Sequence, residues 1–207
     1  MNHHAKPSPK LSFSALALAA ALALSACGGA PATEAPTQPP LAGADIGGDF
    51  ELTSSTGETV RWDDFDGQYR IVYFGFAYCP DICPNDMSQL TRGLKKLAET
   101  APEKVAAIQP MFITIDPDRD TPEVVGEFTS AFSDDMMGLT GTPAQIKDAA
   151  DTFRVYYERG EDLGEGQYLM NHSNIVYLFG PSGEPLATLP TDQGPDAVAA
   201  EIDKWVN

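Results

Sequence analysis

From residue 46 onward the chain alternates apolar runs with one-sided apolar stripes. Residues 50–53 and 58–60 flank Ser-Ser-Thr-Gly and predict a short hairpin. RIVYFGFA, residues 70–77, is an almost continuous apolar and aromatic run, the mark of a strand buried on both faces. From Pro84 to about Thr100, Met87, Leu90, Leu94 and Leu97 fall on one helical face. IQPMFITI, residues 108–115, predicts a second core strand, with Pro110 limiting how early regular pairing starts. Thr121-Pro122 and Thr142-Pro143 each set a hydroxyl cap before a proline at the first helical position, and Gln145 completes a capping box in the second. Residues 136–139 can make a short strand between those helices. NIVYLF, residues 174–179, predicts a third core strand; a turn at Gly180 to Glu184, a strand at 185–189 and an amphipathic helix from Pro195 to Val206 follow. No internal repeat is visible. Strands alternating with helices, closed by a hairpin and a helix, predict a three-layer α/β sandwich.

The first 26 residues read as an export signal. Lys6 and Lys10 precede an apolar run from Leu11 to Leu24, too short and Ala-rich for a comfortable membrane span, and small residues lead into Cys27. The sequence LSAC resembles the bacterial lipobox, which implies lipidation of Cys27. Residues 27–45 then form an expected flexible tether of Gly, Ala, Pro, Thr and Gln, with too little apolar surface to offset ordering. Residues 46–207 are the length of one domain.

The formal net charge is −17, and loss of the signal with its two lysines makes the mature chain more acidic still. That balance excludes nucleic acid as a partner and a basic patch for anionic lipid, leaving a lipid anchor as the only expected membrane contact. It locates no site.

Chemistry is concentrated elsewhere. Beyond Cys27 only Cys79 and Cys83 remain, a pair in an oxidising compartment whose disulfide would close a loop too small to add much stability. Cys79-Pro80-Asp81-Ile82-Cys83-Pro84 lies between a predicted strand and a predicted helix, where free N–H groups favour a thiolate. A thiolate serves disulfide exchange and soft-metal binding alike, so the location supports two functions. A zinc site would need further strong ligands, and no CxxCH is present for haem. The position three before Cys79 is Phe76, which departs from the Thr-x-x-Cys setting of a peroxidatic thiol.

His172 is the one histidine beyond the signal. It stands just before the NIVYLF strand, where thioredoxin-like proteins usually carry a cis-proline facing the cysteines; here His172-Ser173 takes that place. Two thiolates and one imidazole suit copper in either oxidation state.

The motifs YFGFAYCPDICP (73–84), ITIDPDRDTPE (113–123), LTGTPAQI (139–146), FRVYY (153–157) and NHSNIVYL (171–178) resemble those of the Sco/SenC family of copper-binding proteins, across about Asp49 to Tyr177. The resemblance implies an α/β thioredoxin-like fold, a central mixed sheet flanked by helices. It implies copper as the bound ion, with Cys79, Cys83 and His172 as ligands, and assembly of the dinuclear copper centre of cytochrome c oxidase as the task. The expected partners are the copper-receiving subunit of that oxidase and a protein thiol reductant. The expected state is a monomer, lipid-anchored on the periplasmic side of a bacterial envelope. The leading expectation is a metallochaperone rather than an enzyme; the alternative is a thiol–disulfide oxidoreductase, with Cys79 and Cys83 as its redox pair, that keeps a target's copper-ligand cysteines reduced.

One position departs from the family pattern. Asn171 stands where aspartate commonly precedes the histidine, removing a charge that could tune the imidazole. Asp81, between the cysteines, is a second candidate for tuning the site. Asp116, Asp118 and Asp120 read as a strand-to-helix turn rather than a calcium loop. Met87 belongs to a helical stripe and reads as core, and Met170 is a minor candidate for contact with copper.

Overall fold

The computed structural model describes Met1 and residues 37–207; the expected signal, Cys27 and the tether as far as residue 36 lie outside the residues described, Met1 apart. Among the described residues no helix is long and apolar enough to cross a membrane. Leu41 N–H donates to Leu186 O at 2.9 Å, and Asp45 pairs with Arg154, so the chain lies against the domain before residue 46.

Among the described residues there are nine strands and five α-helices. The strands are β1 Glu51–Ser54, β2 Thr59–Arg61, β3 Tyr69–Gly75, β4 Ile108–Thr114, β5 Met137–Thr140, β6 Tyr157–Gly164, β7 Gln167–His172, β8 Val176–Phe179 and β9 Pro185–Thr188. The helices are α1 Ile82–Ala98, α2 Pro102–Ala106, α3 Pro122–Ser130, α4 Pro143–Thr152 and α5 Pro195–Trp205. Seven strands form one sheet in the order β2-β1-β5-β4-β3-β8-β9, and β6 with β7 forms a second. The main sheet is mixed: β3, β4 and β5 run parallel, and the remaining pairs are antiparallel.

β3 is buried at every position, as a continuous apolar run requires when both faces of a sheet are covered. Its centre meets Phe153, just past α4, whose ring lies 5.4 Å from Phe74, 5.3 Å from Trp62 and 5.4 Å from Phe179. Edge contacts of that kind favour one packing over its alternatives. α1 crosses α5 at Gly93, where an added Cβ would stand 2.6 Å from Val198.

Both expected proline-led helix starts form. Thr121 Oγ1 accepts from Val124 N–H at 3.4 Å. Thr142 accepts from Gln145 N–H at 3.3 Å while Gln145 Oε1 accepts from Thr142 N–H at 2.9 Å, a complete capping box. Pro110 lies inside β4 opposite Ile71, ahead of the point where β5 pairs from Met111. The strand has one neighbour there, so a missing N–H is tolerated.

Two differences from the sequence expectation bear on function. α1 starts at Ile82, not Pro84, because proline is accommodated in the first turn of a helix; Cys83 therefore belongs to that turn. Residues 157–172 are not a loop. They form the β6–β7 hairpin, turned by Glu165-Gly166, both in the left-handed region at φ 54° and 80°.

β3 ends where the site begins. A Cβ on Gly75 would stand 3.0 Å from Cys83 Sγ, 2.7 Å from Tyr73 Cε1 and 3.0 Å from Phe112 Cε2. Gly75→Ala overpacks three buried groups at once and is expected to lower stability by about 1–3 kcal/mol. Urea denaturation midpoints of the two proteins check this.

Candidate metal centre

Cys79 is carried by the loop after β3, Cys83 by the first turn of α1, and His172 by the last residue of β7. The loop turns on a Cys79 N–H bond to Phe76 O at 3.2 Å. The helix then directs Cys83 N–H at Cys79 Sγ, 3.3 Å away. The side chain of Asp81, at the cap position, makes no cap bond, so the sulfur does the work that a capping oxygen does elsewhere. Both cysteines are free thiols; Cys83 is fully buried and Cys79 half-buried.

The imidazole arrives from 89 residues away, with Nε2 3.5 Å from Cys83 Sγ. Nδ1 lies 2.9 Å from Ser173 O. A carbonyl only accepts, so Nδ1 carries a proton and Nε2 is the ring nitrogen turned to the sulfurs. Tyr73 and Phe76 meet the ring edge-on, with centroids 6.2 Å and 5.9 Å away.

The two sulfurs share one proton. Hydrogen bonding from Cys83 is the largest influence on Cys79 and carries its pKa down to about 4 against the opposing effect of burial, with His172 and backbone N–H groups adding to the fall. Cys83 moves the other way, first because the neighbouring sulfur holds its proton and then because it is buried. The expectation of an acidic thiol is met by Cys79, ahead of the helix, rather than by Cys83 within it.

Below the sulfurs lies a pair that sequence reasoning missed. Tyr73 OH donates to Asp86 Oδ2 at 3.1 Å, and both residues are buried. Burial raises the Asp86 carboxyl, and burial is also the largest influence raising the Tyr73 hydroxyl. The signal was available: Cys83, Asp86, Met87 and Leu90 follow the i, i+3, i+4, i+7 spacing of one buried helical face.

Other candidates fall at a distance from the trio. Asp81 is exposed. Asn171 is exposed and its Nδ2 donates to Glu158 Oε1 at 3.3 Å across the hairpin. The Ser173 carbonyl, not residue 171, is the hydrogen-bond partner of Nδ1. Asp116 accepts from Tyr168 OH at 2.7 Å and from Arg119 Nε at 2.5 Å, and Asp120 accepts from Ala77 N–H at 2.9 Å and Thr114 OH at 2.6 Å. With Asp118 exposed, these oxygens brace a turn and converge on no ion. Met87 is fully buried in the core, and Met170 packs half-buried against it.

Two sulfurs and one imidazole nitrogen make a soft-donor set, suited to Cu(I) and acceptable to Cu(II), and poorly matched to magnesium or calcium. Among the described residues no three His, Cys, Asp or Glu side chains already enclose a metal position. The trio is gathered but not closed, and half-buried Cys79 is the arm with room to turn.

The mixed sheet, the cysteine pair at a helix start and the facing histidine define a thioredoxin-like domain with a soft-donor site. The SCO1/SenC family model matches residues 38–207, and the chain belongs to that family. It is 36% identical to the human mitochondrial protein SCO1 homolog, over 76% of this chain and 52% of that one. It is 39% identical to a SCO2-like protein of Rickettsia felis, over 74% and 73% respectively. The chain thus spans about half the length of the human relative and most of the rickettsial one. The crystal structure of Arabidopsis thaliana ScoI with copper bound superposes with a TM-score of 0.71 at 34% identity, over 77% of this chain and 99% of that one.

A thiolate with a pKa of about 4 stays ionised until the pH falls toward that value, whereas an unperturbed thiol loses its thiolate below about 8.5. Alkylation of Cys79 by iodoacetamide is therefore expected to hold a flat rate from about pH 6 to 8 and to fall only as pH approaches 4. Cys83 is expected to stay unmodified in the folded protein. Peptide mapping after timed alkylation checks both.

Proposed function

We propose that this chain is a copper metallochaperone, holding Cu(I) or Cu(II) through Cys79, Cys83 and His172. The observation that carries the reading is the position of His172 Nε2, 3.5 Å from Cys83 Sγ, with the ring oriented by the contact of Nδ1 with Ser173 O. Thiolate sulfur favours Cu(I), and imidazole keeps Cu(II) within reach. Release proceeds by ligand exchange. An incoming thiolate or imidazole displaces half-buried Cys79 first and fully buried Cys83 last.

Family membership and the motif resemblance support cytochrome c oxidase as the destination, its copper-receiving subunit as the acceptor and its dinuclear centre as the product. The LSAC sequence supports lipidation at Cys27, which would hold a monomeric domain at the periplasmic face of a membrane without a spanning helix.

One observation favours a second reading, reduction of a target's disulfide. Cys79 is acidic and half-buried, and Cys83 beside it is a buried protonated thiol. Cys79 as thiolate attacks one sulfur of the target disulfide and expels the other; Cys83, losing its proton, then attacks Cys79 Sγ and releases the reduced target. A protein thiol reductant must afterwards restore the pair. The two readings are compatible, because only the reduced pair binds copper.

His172→Ala separates them. Outer partners of metal ligands are worth about 10–100-fold in affinity, so loss of a ligand is expected to weaken copper retention at least that much. Oxidation of Cys79 and Cys83 to a disulfide should proceed as before. Copper titration against a competing chelator, with thiol counting on the same samples, reads both. Unchanged copper affinity would overturn the carrier reading and leave the oxidoreductase.

A further inference from the structure

The strand that delivers His172 is poorly attached to the body of the protein. β6 and β7 pair with each other and with no strand of the main sheet. Their side chains are mostly exposed or half-exposed, and Tyr168 is the one buried residue in either strand. Tyr157 and Met170 pack half-buried against the core, and Tyr168 is the hairpin side chain held most deeply.

Tyr168 is gripped in several ways. Its OH donates to Asp116 Oδ1 at 2.7 Å, and Asp116 Oδ2 accepts from Arg119 Nε at 2.5 Å. The Arg119 guanidinium lies 3.5 Å from the centre of the Tyr168 ring, and that of Arg159 lies 3.9 Å from it. Arg119 also stands 5.2 Å from the ring of Tyr78, the neighbour of Cys79, and 5.9 Å from Phe76, whose ring edges the imidazole. One guanidinium therefore touches both halves of the site: the hairpin bearing the imidazole and the loop bearing the first sulfur. Arg119 is mostly buried, with an ion-pair partner that is itself buried, so its attraction is little screened by water.

Strand geometry makes this grip bear on the histidine. Residues four apart in a strand share a face, so seating Tyr168 points His172 the same way. The irregularities in the hairpin lie on β6, between Arg159 and Asp162 and between Asp162 and Gly164, while Tyr168 and Met170 keep their alternation on β7. The separation is about 13 Å along the strand, short enough for a stiff segment to carry position. At its far end, His172 meets the body at Cys83, and Ser173 N–H returns to Tyr156 O at 2.9 Å.

We propose that Tyr168, clamped by Asp116 and Arg119, is the latch that positions His172 at the sulfurs, and that Arg119 couples this latch to the Cys79 loop through Tyr78. Tyr168 touches no sulfur and is a positioning residue. When it unseats, the imidazole leaves with the hairpin while both cysteines stay on the body. The copper consequence rests on the carrier reading above; the positioning itself does not.

The test uses the reduced, metal-free protein first. Tyr168→Phe loses the hydroxyl and keeps the ring, Arg119→Lys keeps the charge and loses the flat stack, and Tyr168→Ala loses both hydroxyl and ring. Hydrogen exchange of the amides in residues 157–172 is expected to speed up about tenfold or more in Tyr168→Ala and less in Tyr168→Phe. Amides of β3 and β4 should keep their wild-type rates, and the nuclear resonances of the His172 ring should lose the shift imposed by Tyr73 and Phe76. Unchanged hairpin exchange in both Tyr168→Phe and Tyr168→Ala would overturn the proposal, as would an equal acceleration in β3 and β4, which would make Tyr168 a general packing residue. With copper added, the same variants are expected to release it about tenfold faster or more, following the hairpin rates. If His172→Ala leaves copper affinity intact, the carrier reading fails while the exchange result still decides the latch.

Discussion

A sulfur anion half-shielded from water must find donors, and Cys79 finds them in its own neighbour. The first turn of α1 gives it the Cys83 N–H at 3.3 Å, and the Cys83 thiol shares a proton with it. Much else in the structure serves that contact. Gly75 leaves the space into which Cys83 Sγ fits. Asp120 Oδ2 accepts from both Ala77 N–H and Thr114 OH, tying the loop that presents Cys79 to the end of β4. The site is therefore built at the junction of two parallel core strands and one helix start, where backbone positions are fixed by the sheet rather than by the ligands.

Charge is distributed with the same economy. The chain as a whole is strongly acidic at −17, yet burial biases the carboxyl beneath the sulfurs toward its neutral form. A second full negative charge at Asp86 would oppose the thiolate of Cys79 through a poorly screened medium. Its hydrogen bond from Tyr73 holds it in place instead. The His172 imidazole is held by its Nδ1–H contact with the Ser173 carbonyl. Cys79 is the half-buried sulfur, where an arriving cation meets the site first. The surface acidity can draw cations in general; the choice among them rests with sulfur and nitrogen.

The main sheet was legible because its strands are long apolar runs and its helices announce themselves with Thr-Pro starts. The trio was legible through motif resemblance, and its geometry follows from the positions of β3, α1 and β7. What stayed hidden was held by side chains distant in sequence. The β6–β7 hairpin reads YERGEDLG and QYLMNH, mostly polar and broken by glycine, and a periodicity argument finds no strand there. Its seat depends on Asp116 and Arg119, some fifty positions earlier. Asn171 looked like a modifier of the imidazole because it is adjacent in sequence. In a strand, adjacent residues point to opposite faces, and its amide engages Glu158. An aspartate in its place would set two carboxylates against each other across the hairpin, so asparagine at 171 answers to the partner strand as much as to the histidine.

A carrier must hold its cargo well enough to exclude competitors and loosely enough to surrender it. Placing all ligands on core strands would fix their geometry, but opening such a site would mean disturbing the core packing around Phe74, Phe112 and Phe153, all fully buried. Here the two sulfurs ride on the rigid junction, and the nitrogen rides on a hairpin paired only with itself. The cost of separating them is then set by one tyrosine, one arginine and one carboxylate rather than by the core. Elements that move are drawn from the weakly attached parts of a fold, and this fold puts the imidazole of His172 there. The same division accounts for the donor set being gathered yet open: the sulfurs sit at the sheet junction, and the imidazole sits on a hairpin paired only with itself.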